Sequence, residues 1–177
     1  MITYSRAATL EELEQILTLQ KNNLPENLSD KEKIEQGFVT VKHSLEILKR
    51  MNDECAHTIA KNNNKVVGYA LSMTKNFASE IEVLKPMFIE LSKSITEEKY
   101  IVMGQICIDK EFRRKGIFKG LYNYMKTAIC VDYFNLIITE IDTHNTRSLT
   151  AHKSIGFKKL HDYSIKNKDW RIVTLKP

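Results

Sequence analysis

Apolar residues recur along this chain in two rhythms, every three to four positions in some stretches and nearly unbroken in others, and the alternation predicts its elements. Residues 2–7 suit a short first strand. Thr9 and Glu12 then stand at the spacing of a capping box, in which the hydroxyl covers a free amide and the carboxylate reaches back. Leu10, Leu13, Ile16 and Leu17 follow at helical spacing, and Pro25 ends that helix. Ser29 and Glu32 repeat the capping spacing and predict a second helix. A third is expected over about 41–51, with Leu45 and Leu48 on its apolar side. Residues 56–60 and 66–73 read as strands joined through Asn62-Asn63-Asn64, a residue type that tolerates left-handed backbone. Ser79 and Glu82 give a further capping spacing and predict a helix with Ile81, Leu84 and Phe88 inward. Residues 100–108 form a strand with β-branched content. Residues 116–131 follow as a helix with Ile117, Leu121, Tyr124, Met125 and Ala128 on one face. The nearly continuous apolar run 134–141 marks a strand covered on both faces. A short helix over 145–155 and strands at 157–165 and 170–175 close the chain.

This order implies an α/β fold: one mixed central sheet flanked by helices, with strands 101–108 and 134–141 linked through a helix as parallel neighbours. No repeat or linker divides the sequence, so residues 1–177 are expected to form a single domain. An apolar fraction of 42% suffices for one core, and charged residues are dispersed rather than blocked. Cys55, Cys107 and Cys130 are too few and too scattered for a disulfide framework or a zinc site, so no metal is expected. The first residues lack the apolar run of a signal peptide, and no window is long enough to span a bilayer. A cytoplasmic protein without a membrane partner is therefore expected.

Net charge is +5, compatible with nucleic acid, a membrane surface or an anionic ligand. The basic residues cluster at Arg113-Arg114-Lys115 and over 158–168 without forming one long block. A phosphate-bearing small ligand is the more economical partner, and nucleic acid is not expected. The most informative stretch is 106–121. A strand ends near Ile108, a charged turn follows, and a helix opens at Gly116. A helix start offers unpaired amides and the positive end of the dipole. Gly116 would let a phosphate approach the main chain, and Arg113, Arg114, Lys115 and Lys119 surround it with positive charge. Two readings stay open on this evidence: a pyrophosphate site, or a basic helix cap facing solvent. Neither a P-loop nor a dinucleotide-binding glycine motif is present. Farther on, Asn145, Ser148 and His152 fall on one helix face directly after a strand. Asn145 can be a plain helix cap and the others solvated, or the stripe can border a ligand at the strand's carboxyl end.

Together the two segments resemble the GNAT superfamily of GCN5-related N-acetyltransferases. The family's Arg/Gln-x-x-Gly-x-Gly/Ala signature reads Arg113-Arg-Lys-Gly116-Ile-Phe118, and its next helix motif reads Asn145, Ser148, His152, Gly156-Phe157. The resemblance is most secure over 102–158 and implies a GNAT-like acyl-CoA N-acyltransferase fold that binds acetyl-CoA. It implies that the backbone of Ile106, Cys107 and Ile108 pairs with the pantetheine arm as an added strand. The helix start, from Arg113, Arg114 and Lys115 through Gly116, Ile117, Phe118 and Lys119, would cradle the pyrophosphate. Asn145 and Ser148 would contact the arm from the other side, and His152 would sit by the thioester sulfur. Two departures stand out: Phe118 where the family has a small residue, and His152 where it has Tyr. The first requires the ring to point away from the phosphates or the loop to open.

The implied reaction is direct attack of an amine on the thioester in a ternary complex. Amides around Cys107 would stabilise the oxyanion, and His152 would protonate the leaving thiolate. A covalent route through Cys107 is the lesser alternative. Glu140 is the main candidate base, though it can equally face out and pair with a lysine. His144, Glu97 and Glu98 are further candidates, and a water chain would need none of them. The acceptor is an amine, either a small molecule or a protein or peptide group, and segment 36–43 is expected to border its pocket. Other readings are a non-catalytic acyl-CoA sensor on the same fold and a nucleic-acid module using the basic tail. A homodimer through the last strands around Trp170 is a further expectation.

Overall fold

The computed structural model describes residues 1–96, 99–129 and 133–177, with Ile34 described by its backbone alone. Glu97, Glu98, Cys130 and Val131 lie outside the described residues. The two capping boxes at the front of the chain form. After the first strand, β1 (Ile2–Arg6), Thr9 accepts the Glu12 amide at 3.2 Å while the Glu12 carboxylate receives the amides of Ala8 and Thr9. These contacts start α1 (Leu10–Lys21). Ser29 and Glu32 start α2 (Asp30–Gln36) in the same way, and it ends at Gly37, whose φ of 72° suits a residue without a Cβ.

Two helix starts differ from expectation. α3 spans Leu45–Glu54 from a Ser44 cap, rather than beginning near residue 41. Residues 38–43 form no regular element instead, with Val39 and His43 buried and Phe38, Thr40 and Lys42 exposed. The Val39 amide donates to Asn23 O at 3.0 Å, Val41 O accepts from Gln105, and the His43 amide donates to Gln20. These partners claim backbone groups that a helix would need. The capping spacing at Ser79 and Glu82 is not used. Arg50 holds Glu80 through two bonds, of 2.6 and 2.8 Å, and Lys85 pairs with Glu82. α4 therefore begins later, at Lys85–Ser94, with Pro86 in the first turn, where a missing N–H costs little.

The strands are β2 (Thr58–Asn62), β3 (Lys65–Met73), β4 (Tyr100–Ile108), β5 (Leu136–Asp142), β6 (Lys158–Ile165) and β7 (Lys168–Leu175). They form one sheet of order β1-β2-β3-β4-β5-β7-β6, antiparallel throughout except for the parallel pair β4–β5. Asn63 takes the left-handed backbone the hairpin requires. α5 (Ile117–Ala128) and α6 (Thr146–Ser154) cover one face, and α1, α3 and α4 cover the other. The inward side of α5 takes in Tyr122 rather than Tyr124, because the Tyr122 hydroxyl finds a buried partner in His152. Among the described residues, no helix is long and apolar enough to cross a membrane.

The feature that positions the site lies inside β4. Its pairing with β5 covers only Tyr100↔Leu136, Ile101↔Ile137 and Val102↔Ile138. Just beyond, the register with β3 slips: Ser72 opposes Met103, but Leu71 opposes Gln105, leaving Gly104 as the unmatched residue of a bulge. A bulge bends its strand and increases its twist. β4 turns away, while β5 stays paired with β7 as far as Asp142. The two parallel strands thus open into a V, and the extra residue brings Gln105 to the same face as Val102.

The caps give a direct comparison. Thr9→Ala should cost about 1 kcal/mol in denaturant unfolding, and Ser79→Ala less than about 0.5 kcal/mol, since no cap is lost there. Equal losses would mean that the second spacing also caps a helix.

Candidate active site

The mouth of the V is a cleft of about 320 Å³. Ile106, Cys107 and Ile108 of β4 line it, along with Gly116, Ile117 and Phe118 from the start of α5 and Asn145, Ser148 and Ala151 from α6. Gln36 at the end of α2 and Gly37, Phe38 and Val39 after it also line the cleft, so part of the segment expected to border an acceptor lies against it. Past Val102, the edge of β4 that faces β5 has no strand partner. Such an edge accepts an extended chain as an added strand.

Gly116 is the N-cap of α5, at φ 78°, and a Cβ placed on it would meet nothing within 4 Å. Its role is therefore the left-handed turn beside open space, not close packing. Arg114 is also left-handed, at φ 61°. No side chain caps α5, and the first amide to close a helical bond is that of Gly120, on Gly116 O at 3.0 Å. Gly116, Ile117 and Phe118 line the cleft, so the free amides of this helix start and the positive end of its dipole lie at the cleft, an arrangement that receives an anion. Arg114 borders this spot, as does Arg147. Arg147 was not singled out from the sequence; its only signal was a cation two residues past a helix cap beside a strand end. Lys119 is exposed outside the cleft, and Lys115 lies over the Phe112 ring, 4.9 Å from its centre.

Arg113 also lines the cleft, but its guanidinium is engaged by the protein. Its guanidinium donates to Ile108 O at 3.0 Å, to Asn23 Oδ1 at 2.6 Å and to Gln36 Oε1. It fastens the end of β4 to the ends of α1 and α2. Phe118 leaves the turn closed by pointing into a cluster of rings, 5.2 Å from Tyr122 and 5.0 Å from His152.

His152 sits inside that cluster rather than on the cleft wall. It is 2% exposed. Nδ1 lies 2.8 Å from Ser148 O, and a carbonyl only accepts, so Nδ1 carries the proton. Nε2 then accepts the Tyr122 hydroxyl at 2.8 Å. Burial pushes the imidazole down to about 4, so it is neutral near pH 7 and holds no proton free for a thiolate. Asn145 caps α6 by accepting the Ser148 amide at 3.0 Å.

On the opposite face the bulge presents Gln105 to a buried polar network. Gln105 Oε1 accepts from Tyr69 at 2.6 Å and from Gln20 at 2.9 Å, and its amide donates to Val41 O. Gln20 also donates to His43 Nδ1 at 2.9 Å. Every bond here crosses between separate elements, which no local sequence pattern reveals. Burial pushes the Cys107 thiol up to about 12, so it remains protonated and a weak nucleophile.

Glu140 also lies on this face. It pairs with Tyr163 rather than with a lysine, accepting the phenol proton at Oε2. Burial raises its carboxyl to about 7, against the lowering effect of that bond. His144 is exposed and bonds to Asp142, away from the cleft.

The sequence matches the model of the acetyltransferase (GNAT) family over residues 13–157. No curated protein matches it significantly. Solved structures share the fold at low identity. NAA60 of Arabidopsis thaliana, in complex with acetyl-CoA, is 12% identical at a TM-score of 0.70, with 100% of each chain covered. The ribosomal-protein-S18-alanine N-acetyltransferase of Escherichia coli is 13% identical at 0.67, covering 99% of this chain and 94% of that one. The NatC complex bound to Gag peptide and CoA is 15% identical at 0.67, covering 99% and 98%.

The buried imidazoles set the acid behaviour. His43, His57 and His152 are each lowered from 6.5 to about 4 by burial. The unfolded chain therefore binds more protons than the folded one, and stability falls as pH drops from about 6.5 to 4. Glu140, raised from 4.5 to about 7, works in the opposite direction between those values. Three groups outweigh one, so Tm should fall between pH 7 and 4.5 in a thermal scan. A flat or rising Tm would mean that these imidazoles are not buried neutral.

Proposed function

The chain belongs to the GNAT acetyltransferase family, and on that premise we propose that it moves an acetyl group from acetyl-CoA to a primary amine by direct attack in a ternary complex. The observation that carries this reading is the coincidence of an unpaired β4 edge with an uncapped helix start at Gly116, both facing one cleft. The pantetheine arm lies along Ile106 and Ile108 as an added strand, sharing Ile108 O with Arg113. The pyrophosphate rests on the amides of Ile117, Phe118 and Lys119, with Arg114 and Arg147 as counter-charges and Asn145 and Ser148 on the far side. Acetyl-CoA supplies the activated acyl group. The cleft holds it in one orientation and excludes water from its apolar walls.

Glu140 is the general base. It is half-buried, lies on the same side of the sheet as Gln105, and has a carboxyl balanced near neutrality, where a base is both available and strong. It takes the amine proton as nitrogen attacks the carbonyl. The β4 amides around Cys107 stabilise the oxyanion, and the departing thiolate recovers a proton through water. His152 holds Phe118 and Ser148 in place and takes no proton-transfer role. One structural neighbour is a ribosomal-protein-S18-alanine N-acetyltransferase and another is bound to a Gag peptide, so a peptide amine is the first acceptor to test, with small amines second. The reading treats residues 1–177 as one catalytic domain acting in the cytoplasm, without nucleic acid, membrane or metal.

Release of free thiol from acetyl-CoA, dependent on an added peptide or small amine, is the direct assay. Thiol release that no amine stimulates, despite tight cofactor binding, would leave a sensor. Glu140→Gln should lower turnover by about 10²-fold without changing acetyl-CoA affinity, and wild-type turnover should rise with pH through about 7. Undiminished turnover in that variant would remove Glu140 as the base. Gly116→Glu puts a side chain and a negative charge where the phosphates rest, and should weaken acetyl-CoA binding by at least about 100-fold. Unchanged affinity would move the phosphates elsewhere.

A further inference from the structure

Tyr163 belongs to β6, the outermost strand, yet its hydroxyl reaches past β7 to Glu140 on β5. The registers allow this. Glu140 opposes Ile172, and Ile172 opposes His161, so the three share one row and one face. Tyr163 stands two residues along β6 on that same face, and its ring packs against the core on the α4 side.

The surroundings of the Glu140 carboxyl are otherwise poor in charge. β7 offers aliphatic Ile172, and β6 offers Tyr163 and His161. From α4 comes Glu90, whose carboxylate lies 3.5 Å from His161 Nε2 and also acts on Tyr163. Tyr100 of β4 packs against the same core, and Gln105 lies across the V. Among the described residues, no lysine or arginine forms an ion pair with Glu140. The half-buried carboxyl of Glu140 thus has one neutral hydrogen-bond donor and no paired cation among the described residues.

We propose that Tyr163 is a positioning residue for acetyl transfer: its phenol proton, given to Oε2 of Glu140, fixes the carboxylate and leaves Oε1 to accept the proton of the attacking amine. This rests on Glu140 acting as the base. The choice of donor has a chemical reason. A lysine at this place would neutralise the carboxylate and make it too weak a base. A phenol stabilises the anion by one charge-assisted hydrogen bond and leaves its charge in place. Burial and the neighbouring carboxylate drive the Tyr163 phenol far up, so it keeps its proton and donates across the working pH range. The pair thus holds a base that is oriented and still basic, built from two strands that are not neighbours.

The test needs no acceptor. Protein labelled with ¹³C at the glutamate side-chain carboxyl is titrated by NMR, and the Glu140 resonance is identified as the one absent from Glu140→Gln. Tyr163→Phe removes one oxygen and keeps the ring, so the fold should persist. The Glu140 midpoint should rise in it by about one pH unit. Replacing Tyr163 by 3,5-difluorotyrosine, a stronger donor with nearly the same shape, should move the midpoint down. Opposite movements in the two variants support the proposal, because simple loosening of the fold would not change sign. A midpoint unmoved in both, or moved the same way in both, overturns it. The titration reads Tyr163 even if turnover of Glu140→Gln proves undiminished, so failure of the base reading and failure of this one are told apart.

Discussion

A parallel pair of strands that must part after three residues is the constraint on which the rest of this molecule depends. Strands β4 and β5 sit at the centre of the sheet, where an unpaired backbone would ordinarily be costly. The Gly104 bulge ends their ladder at Val102 and turns β4 aside while its other edge stays bonded to β3. β5 is held in place by β7, which pairs with its other edge from Ile137 to Asp142. The cost falls on the two edges that face each other across the gap, and the edge of β4 is one that an extended ligand can satisfy. The helix after β4 then starts at the open end of the gap, with its amides uncovered.

The gap stays open because polar groups hold its walls from outside. Arg113, bonded to Ile108 O, ties the end of β4 to Asn23 and Gln36, so the strand cannot swing back without breaking both of those bonds. The Gln20, His43, Gln105 and Tyr69 network fixes segment 38–43 against the bulge. On the other wall, His152 locks α6 to α5 through Tyr122. These groups are buried or half-buried and hydrogen-bonded, the condition under which a polar core rigidifies rather than weakens a fold. The same burial makes the imidazoles neutral, so the groups that shape the cleft are not the ones that titrate near neutrality. Glu140 is different: one partner, no cation, and a carboxyl poised for proton transfer.

Local pattern carried most of the fold. Thr9 and Ser29 announced their helices, Asn63 its hairpin, and the apolar run before Asp142 a strand covered on both sides. Pattern failed where distant partners overrode it. Ser79 has the spacing of a cap, but Arg50 and Lys85 compete for the carboxylates around it. Residues 41–43 have helical neighbours, but Gln20 and Gln105 capture their backbone. At the cleft, Gly116 and Asn145 were legible because a turn and a cap are local requirements. The orientation of His152 was not, since it depends on Tyr122, thirty residues earlier in sequence. Nor were Arg147 or the link from Glu140 to Tyr163, which only the sheet order brings together.

The central claim is that the V between β4 and β5 is an acyl-CoA site, and calorimetric titration of acetyl-CoA into the wild-type protein tests it most directly, with free CoA and ATP as comparison ligands. Micromolar binding of acetyl-CoA and CoA, with ATP much weaker, is the predicted result, because the arm lying along β4 adds to what the phosphates alone provide. Equal binding of all three would mean that only the helix start engages the ligand, and no binding at all would contradict the assignment of the cleft.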